Sequence, residues 1–209
     1  TVSDLREFIL SHETTNNDIK RVSRALTAEM IAGVAKIMSN MDLVYAASKI
    51  NVSAKANTRI GLPGTLAFRL QPNHPTDDLD GIRASIMEGL SYGSGDAVIG
   101  INPVNDSVEN TKSIMNMVSE FINKWQIPTQ SCVLSHITTQ MKAVEAGASV
   151  SIFFQSVAGT ESANKAFGIN EKLIREAYDL ILSEGNAPGP NLMYFETGQG
   201  SEMSLDTDH

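Results

Sequence analysis

The sequence has little cysteine and no excess of basic residues. A single cysteine, Cys132, excludes an internal disulfide. Lys and Arg together number 16 against 24 Asp and Glu, which leaves a formal net charge of -8. An acidic chain without a basic stripe is a poor partner for nucleic acid or for an anionic membrane surface. We therefore expect no nucleic-acid partner and no membrane partner.

Long apolar runs are also missing. No run approaches the roughly 20 residues that a membrane-spanning helix needs. Residues 1–5 show no basic-then-apolar signal pattern. Hydrophobic residues make up 42% of the chain and charged residues 19%, a balance typical of a globular domain with a sizeable core. These features predict a cytoplasmic globular protein.

Recognisable metal and nucleotide motifs are absent as well. The four histidines show no ligand spacing, so we predict no metal site formed by the protein. Cys132 lies inside an apolar run, which indicates a small core residue rather than a nucleophile. There is no Walker loop, and the glycine-rich residues 93–96 precede a predicted strand, whereas a dinucleotide-binding turn follows one.

What is present divides at about residue 50. Residues 1–50 place apolar side chains at helical spacing, most clearly after Thr27, and predict an N-terminal helical segment. From residue 51 to 209, short apolar runs alternate with longer amphipathic stretches. Predicted strands cover 65–71, 97–102, 131–135, 151–155 and 192–196, with an earlier candidate at 51–54. Predicted helices cover 80–90, 107–124 and 138–146, and a further one follows its cap Asn170.

Alternating strands and helices predict an α/β fold with a parallel sheet and right-handed crossovers. The predicted strands are apolar on both sides, as expected of strands that are covered on both faces. A doubly wound sheet and a (β/α)₈ barrel both satisfy this pattern.

Each of the five main predicted strands closes on a polar residue. These residues are Arg69 with Gln71, Asn102, His136, Gln155 and Glu196. A single polar strand end is explained by contact with water, but five in succession favour a shared pocket, because carboxyl ends of parallel strands converge. The set contains amides, one cation and one carboxylate, without a Schiff-base lysine. It suits a site that orients a small polar substrate while a cofactor supplies the difficult chemistry.

Several longer motifs resemble those of the ethanolamine ammonia-lyase large subunit. They are RLQPNHPTDD at 69–78, GDAVIGINPV at 95–104, FETGQGS at 195–201, SNMDL at 39–43, ANT at 56–58 and LPGT at 62–65. The motifs are long and uncommon, and the similarity runs through nearly the whole chain. The resemblance implies a (β/α)₈ TIM barrel, incomplete in this chain, over residues 51–209, which holds adenosylcobalamin at its C-terminal face.

The resemblance also implies an activity, the radical deamination of ethanolamine to acetaldehyde and ammonia. In that family the cobalt–carbon bond breaks homolytically, a hydrogen atom leaves the carbinol carbon, and the amino group migrates. By resemblance, Arg69, Gln71 and Asn102 contact the substrate hydroxyl. Glu196 matches the carboxylate that binds the substrate ammonium, and Gln71 can reach both groups.

The cofactor contacts and partners follow from the same resemblance. Pro103, Gln155 and Ser204 fall where the family contacts cobalamin. The implied partner is the ethanolamine ammonia-lyase small subunit, in a hetero-oligomer that contains several large subunits. Residence in a bacterial microcompartment is left open. The family's large subunit is longer than this chain, so we expect the 209 residues alone to be inactive.

Two other functions stay open. One is a cobalamin-independent barrel lyase or isomerase that acts on a small polyol, and its lack of cofactor demand would distinguish it. The other is a non-catalytic assembly fragment, in which the helices before Asn51 pack on a neighbour. Glu196→Ala would leave turnover intact in that case. We assign no catalytic role to His74 or His136.

Overall fold

The computed structural model describes residues 1–56, 58–185 and 189–197. The chain forms two compact units, one of Thr1–Ser53 with Gly61–Pro63, the other of Ala54–Ile60 with the chain from Gly64 onward. The predicted domain boundary at residue 50 stays a prediction, because a compact unit need not fold alone. No helix in these described ranges is long and apolar enough to cross a membrane.

The first unit is helical. Its helices are α1 (Val2–Leu10), α2 (Asn16–Ser23), α3 (Ala28–Lys36) and α4 (Asn40–Lys49). Each follows a Ser or Thr N-cap whose side-chain oxygen accepts a backbone N–H three residues further on. Arg6 Nη2 on α1 donates to Asp42 Oδ2 on α4 at 2.6 Å. Helices therefore lie where the apolar spacing and the caps predict them.

The second unit alternates strands and helices. Its elements are β1 (Ala54–Lys55), β2 (Arg59–Ile60), β3 (Arg69–Leu70), α5 (Leu79–Ser91), β4 (Val98–Ile101), α6 (Val108–Trp125), β5 (Ser131–Val133), α7 (Ile137–Glu145), β6 (Phe153–Val157), α8 (Glu161–Ala166), α9 (Glu171–Glu184) and β7 (Met193–Thr197). β1 and β2 pair antiparallel. Neither this short hairpin nor α8 was predicted, and the candidate strand at 51–54 overlaps β1 only at Ala54.

The larger strands are parallel and neighbour one another in chain order. β3, β4 and β5 form one ladder, and β6 and β7 form a second. A single parallel bridge between Cys132 and Ile152 connects β5 to β6. The predicted parallel α/β class is confirmed. Among the described residues no barrel closes, so the (β/α)₈ barrel stays a prediction.

β3 is much shorter than the predicted strand over 65–71. The backbone N–H of Phe68 donates to the Asp96 side chain at 2.8 Å, which takes it out of the ladder. Regular pairing with β4 therefore begins at Arg69, opposite Val98.

The main core lies between the strands and the helices of the second unit. The strands contribute Ile99, Ile101, Val133 and Phe153, and the helices contribute Ile82, Ile86, Ile114, Met117, Val118, Phe121, Ile137, Ala177 and Ile181. Each fully buried large apolar side chain contributes about 1.5–3 kcal/mol of transfer free energy. The helix-facing side of the strands is therefore the side that stabilises the fold.

Candidate functional site

The opposite side of the same strands has a different composition, and we call it the inner face. Along a strand, successive side chains alternate between the two faces. Val98, Cys132, Ile152 and Phe154 form a small cluster separate from the main core, with Tyr194 packed against it. Alternation and register place Arg69 and Gly100 on this face, and Glu196 lies two residues beyond Tyr194.

Arg69 connects the first and last strands of the parallel series. Its Nη1 donates to Tyr194 Oη at 3.1 Å and to Glu196 Oε2 at 3.3 Å. In a flat sheet, four strand spacings would separate β3 and β7 by about 19 Å. Two side chains cannot bridge that gap at hydrogen-bonding distance, so the sheet curls and the inner face is concave.

The other side of the Arg69 guanidinium lacks partners. Nε and Nη2 are both buried, and neither donates a hydrogen bond to any described residue. Buried donors of a charged group destabilise a protein unless an acceptor is supplied. Gly100 lies beside them, and a Cβ added there would stand 2.8 Å from Nε. Two nitrogens of Arg69 therefore lack acceptor atoms in the described part of the chain, and they lie next to the carboxylate of Glu196.

A cavity of about 320 Å³ opens beside this group. Its wall includes Arg69, Val98, Ile152 and Tyr194, together with part of the β1–β2 hairpin. Most of the lining residues stand at the amino ends of the strands, and Glu196 and the amides of the carboxyl edge are not among them. The cavity therefore lies on the amino-end side of Arg69, apart from the polar residues at the carboxyl edge.

Gln71 and Asn102 lie at the same carboxyl edge. Gln71 follows β3 directly, and Asn102 follows β4 directly. Counting by twos along each strand places Gln71 on the face of Arg69 and Asn102 on the face of Gly100. The described hydrogen bonds connect neither side chain to Arg69 or Glu196. The structure thus brings Arg69 and Glu196 into contact, and places Gln71 and Asn102 nearby without a direct bond to them.

Asp77 fastens the loops that carry these residues. It is buried, adopts φ 54°, and its carboxylate accepts the backbone N–H groups of Val104 and Asn105 and the side-chain amide of Asn110. The backbone N–H of Asn102 donates to Asn73 Oδ1 at 2.8 Å. Sequence reasoning missed this clamp, although an Asp in a loop is a residue that tolerates positive φ.

The residues predicted to contact cobalamin are placed unequally. Pro103 is partly buried just beyond β4. Gln155 is buried on the helix-facing side, where its Oε1 accepts the N–H of Ile137 at 2.8 Å and its Nε2 donates to Ser156 O. Ser204 lies outside the described residues. Contact of all three with a cofactor stays a prediction.

The histidines at the strand ends have internal partners. His136 precedes α7, with Nδ1 2.8 Å from Thr138 Oγ1 and Nε2 2.9 Å from the carbonyl oxygen of Phe167. His74 Nδ1 accepts the backbone N–H of Asp78 at 3.3 Å. Both therefore hold loops together. Within the part of the chain that the structure describes, no group of three or more metal-ligating side chains comes together.

Cys132 lies at the base of the inner face and is 2% exposed. Burial raises the pKa of its thiol to about 12, with a smaller opposing influence from Arg69 and a further rise from Glu196. The thiol therefore stays protonated at neutral pH, as expected of a small core residue.

Tyr194 is the site residue that sequence reasoning missed. Its hydroxyl accepts from Arg69, and the guanidinium carbon lies 5.3 Å from its ring centroid. A signal was available, because Tyr194 precedes Glu196 by two residues and two residues in a strand share a face.

Parallel strands in chain order, with a cation, a carboxylate and amides near their carboxyl ends, make this unit an α/β fold, a class in which ligands bind at the carboxyl ends of the strands. The chain belongs to the ethanolamine ammonia lyase large subunit (EutB) family, whose family model matches residues 1–209.

Two relatives carry the name ethanolamine ammonia-lyase large subunit. The one from Escherichia coli (strain K12) is 49% identical over 204 residues, which is 98% of this chain and 45% of the relative. The one from Salmonella typhimurium (strain LT2) shows the same identity and the same coverage. The chain thus spans a little under half the length of the curated relatives that it matches.

Proposed function

We propose that the complete protein deaminates ethanolamine to acetaldehyde and ammonia with adenosylcobalamin, and that this chain supplies much of the substrate site. The observation that carries the proposal is the contact between Arg69 and Glu196 on the concave inner face. Glu196 contacts one nitrogen of the Arg69 guanidinium, and the other two nitrogens lack partners among the described residues. The chain that carries this pair is 49% identical to ethanolamine ammonia-lyase large subunits.

The two groups suit the two ends of an amino alcohol. The hydroxyl oxygen of ethanolamine accepts hydrogen bonds, and Arg69 has donors without partners. The ammonium donates, and a carboxylate such as Glu196 is its natural charge-assisted partner. A carboxylate accepts several hydrogen bonds, so Glu196 can hold the ammonium while it keeps its contact with Arg69. Gln71 and Asn102, at the same edge, add amide groups that bind either end.

The chemistry of the donor set fits a cofactor that starts the reaction. Arg69, Gln71, Asn102 and Glu196 bind and orient, and a guanidinium, an amide or a carboxylate is too weak a base to take a hydrogen from the carbinol carbon. When bound, adenosylcobalamin supplies the radical that takes this hydrogen from the carbinol carbon. Its proposed contacts are Pro103, Gln155 and Ser204. Arg69 and the amides hold the substrate oxygen and offset charge while the amino group migrates.

The strand arrangement supports a (β/α)₈ barrel in the complete protein. A doubly wound sheet reverses its strand order, whereas β3 to β7 follow chain order. The contact between Arg69 and Glu196 requires the series of strands to curve, and the wall of a barrel curves in the same way. We propose that chain beyond this one completes the barrel, and that a small subunit and further large subunits complete the assembly. The cytoplasmic location and the microcompartment stay predictions.

The decisive experiment uses the complete large subunit with its small subunit. Adenosylcobalamin is titrated into the complex, and the visible spectrum is followed when ethanolamine is added. Loss of the alkylcobalamin band that depends on ethanolamine, together with acetaldehyde release, is the expected result. Absence of cofactor binding and of any spectral change would remove the proposal and favour the cobalamin-independent lyase or isomerase.

A companion experiment assays the 209-residue chain alone under the same conditions. We expect no turnover, because the barrel and the site are incomplete without further strands. Robust acetaldehyde release by this chain alone would contradict that expectation.

A further inference from the structure

We propose that Gly100 and Tyr194 act together as positioning residues for Arg69, and we call the pair the Arg69 seat. The inference rests on the proposed function, in which Arg69 binds the substrate oxygen. It adds two residues that touch no substrate in this scheme and that act through the guanidinium. The seat also explains how a cation with two unpartnered buried donors keeps one orientation.

Tyr194 forms one side of the seat. Its hydroxyl accepts a hydrogen bond from Nη1 at 3.1 Å, and its ring lies 5.3 Å from the guanidinium carbon, within the range of a cation–π contact. Phe154 packs against the Tyr194 ring with centroids 5.8 Å apart. Phe154 therefore supports the Tyr194 ring, and the hydroxyl on that ring fixes the position and direction of Nη1.

Gly100 forms the other side. A Cβ added to this residue would lie 2.8 Å from Arg69 Nε and 3.0 Å from Nη2, closer than packed atoms come. Glycine therefore keeps the space beside these two donors free of any β4 side chain. The requirement is one of space, since the backbone of Gly100 lies in a strand and not among the positive-φ residues.

The two contacts act on different atoms of one rigid group. Tyr194 and Glu196 take Nη1, while Gly100 leaves room for Nε and Nη2. Because the guanidinium is planar and rigid, fixing these two regions fixes the direction of every N–H. A substrate oxygen that binds the guanidinium then meets donors already oriented, and orientation is what a binding group contributes to a reaction.

Changes to the seat are expected to move Arg69 without unfolding the chain. The atoms that a methyl group at Gly100 would meet belong to the end of a flexible side chain, not to backbone. Tyr194 packs against the small inner cluster and is not among the residues that pack against the large helix-facing core. The variants Gly100→Ala and Tyr194→Phe therefore test position, and either one alone suffices if the other fails to fold.

The experiment measures kcat/KM for ethanolamine in the complete large subunit with its small subunit and adenosylcobalamin. We expect Gly100→Ala and Tyr194→Phe each to lower kcat/KM about tenfold, the effect of one misplaced or lost hydrogen bond to a charged group. Matched controls are Gly33→Ala and Tyr178→Phe. A Cβ added to Gly33 meets only Val2, at 3.8 Å, and Tyr178 is an exposed residue of α9. Both controls should change kcat/KM less than about twofold.

A double-mutant cycle separates positioning from a merely structural role. In an Arg69→Lys background the seat has no guanidinium to hold, so Tyr194→Phe and Gly100→Ala should add little further loss. The proposal would be overturned if each substitution lowered kcat/KM by the same factor in the Arg69→Lys background as in the parent protein.

A second readout does not depend on turnover. Crystal structures of the unliganded complete protein should show the guanidinium displaced in Gly100→Ala and in Tyr194→Phe relative to the parent. An unmoved guanidinium would overturn the seat even if activity fell. If the parent protein does not turn over ethanolamine, the proposed function fails, and the position of the guanidinium in these crystals still decides for or against the seat.

Discussion

The two faces of the parallel strands differ in composition although their residues are neighbours in sequence. The helix-facing side presents Ile99, Ile101 and Phe153, all completely excluded from solvent. The inner face presents Arg69, Gly100 and Glu196, which form a partly solvated charged site. One set of strands therefore separates stability from chemistry, because alternate side chains point in opposite directions.

Phe153 and Phe154 show this separation at a single peptide bond. Phe153 packs in the main core with the helices, whereas Phe154 packs with Cys132 and Tyr194 on the inner face. A substitution at one position should therefore act on folding, and at the other on the site. Four predictions test how sharply the two faces are divided.

The largest effect is expected for Glu196→Ala in the complete protein. It removes one partner of Arg69 and the proposed partner of the substrate ammonium, so turnover should fall about 10³-fold, the effect of losing a group that stabilises charge in the transition state. Steady-state rates of acetaldehyde formation measure this, with exposed Glu120→Ala on α6 as the matched control. Undiminished turnover would favour the non-catalytic assembly function.

The second prediction compares Phe153→Ala with Phe154→Ala. Phe153→Ala should lower the free energy of unfolding by about 3–5 kcal/mol through a cavity in the main core. Phe154→Ala should cost less stability, because its cluster is smaller, and should lower kcat/KM more, because Tyr194 loses its backing. Urea unfolding and steady-state kinetics measure the two quantities. Equal losses of stability with equal losses of activity would erase the distinction between the faces.

The third prediction concerns the clamp beneath the polar edge. Asp77→Ala removes the acceptor for the N–H groups of Val104 and Asn105, so the segment from Asn102 should lose its fixed position. We expect kcat/KM to fall about tenfold, since each lost hydrogen bond to a charged acceptor weakens the structure by about 1.5–3 kcal/mol. Exposed Asp179→Ala on α9 is the control. Unchanged kinetics would show that Asn102 is positioned without the clamp.

The smallest effect is expected at Cys132. Its raised pKa, about 12 against a usual 9.0, means that the folded chain retains a proton that the unfolded chain releases above pH 9. The thiol therefore contributes stability below pH 9 that is lost as the pH rises from 9 toward 12. Peptide-resolved alkylation kinetics should show that Cys132 is slow to react at pH 8 in native protein and fast in urea. Rapid native labelling would place the thiol outside the inner cluster.

The predictable parts of the fold are those with a local cause. α6 lies within one residue of the helix predicted over 107–124, and α9 begins after its predicted cap Asn170. The β1–β2 hairpin and α8 were missed because such short elements have too few residues for a period to emerge. β3 was predicted too long, because the bond from Phe68 to Asp96 that ends its ladder joins residues far apart in sequence.

The site was predictable to a similar extent. Arg69 and Glu196 stand at strand ends and are polar where an apolar run predicts otherwise, so sequence alone singles them out. Gly100 carries no such signal, and the only signal for Tyr194 is its spacing of two residues from Glu196. Gln155 was predicted at a strand end, but it lies inside β6, two residues from the core residue Phe153, and its side chain bonds to the start of α7. Alternation along the strand therefore places it on the helix-facing side.

The amino-acid sequence by itself determined the order of the strands and helices and the polar residues at the strand ends, because periodicity and capping act over a few residues. Only the tertiary structure decided that β3 and β7 approach closely enough for Arg69 to contact both Tyr194 and Glu196. That contact spans more than a hundred residues, and it depends on the curl of the whole parallel series. Curl arises from the summed twist and packing of many strands and helices, which no local stretch of sequence contains.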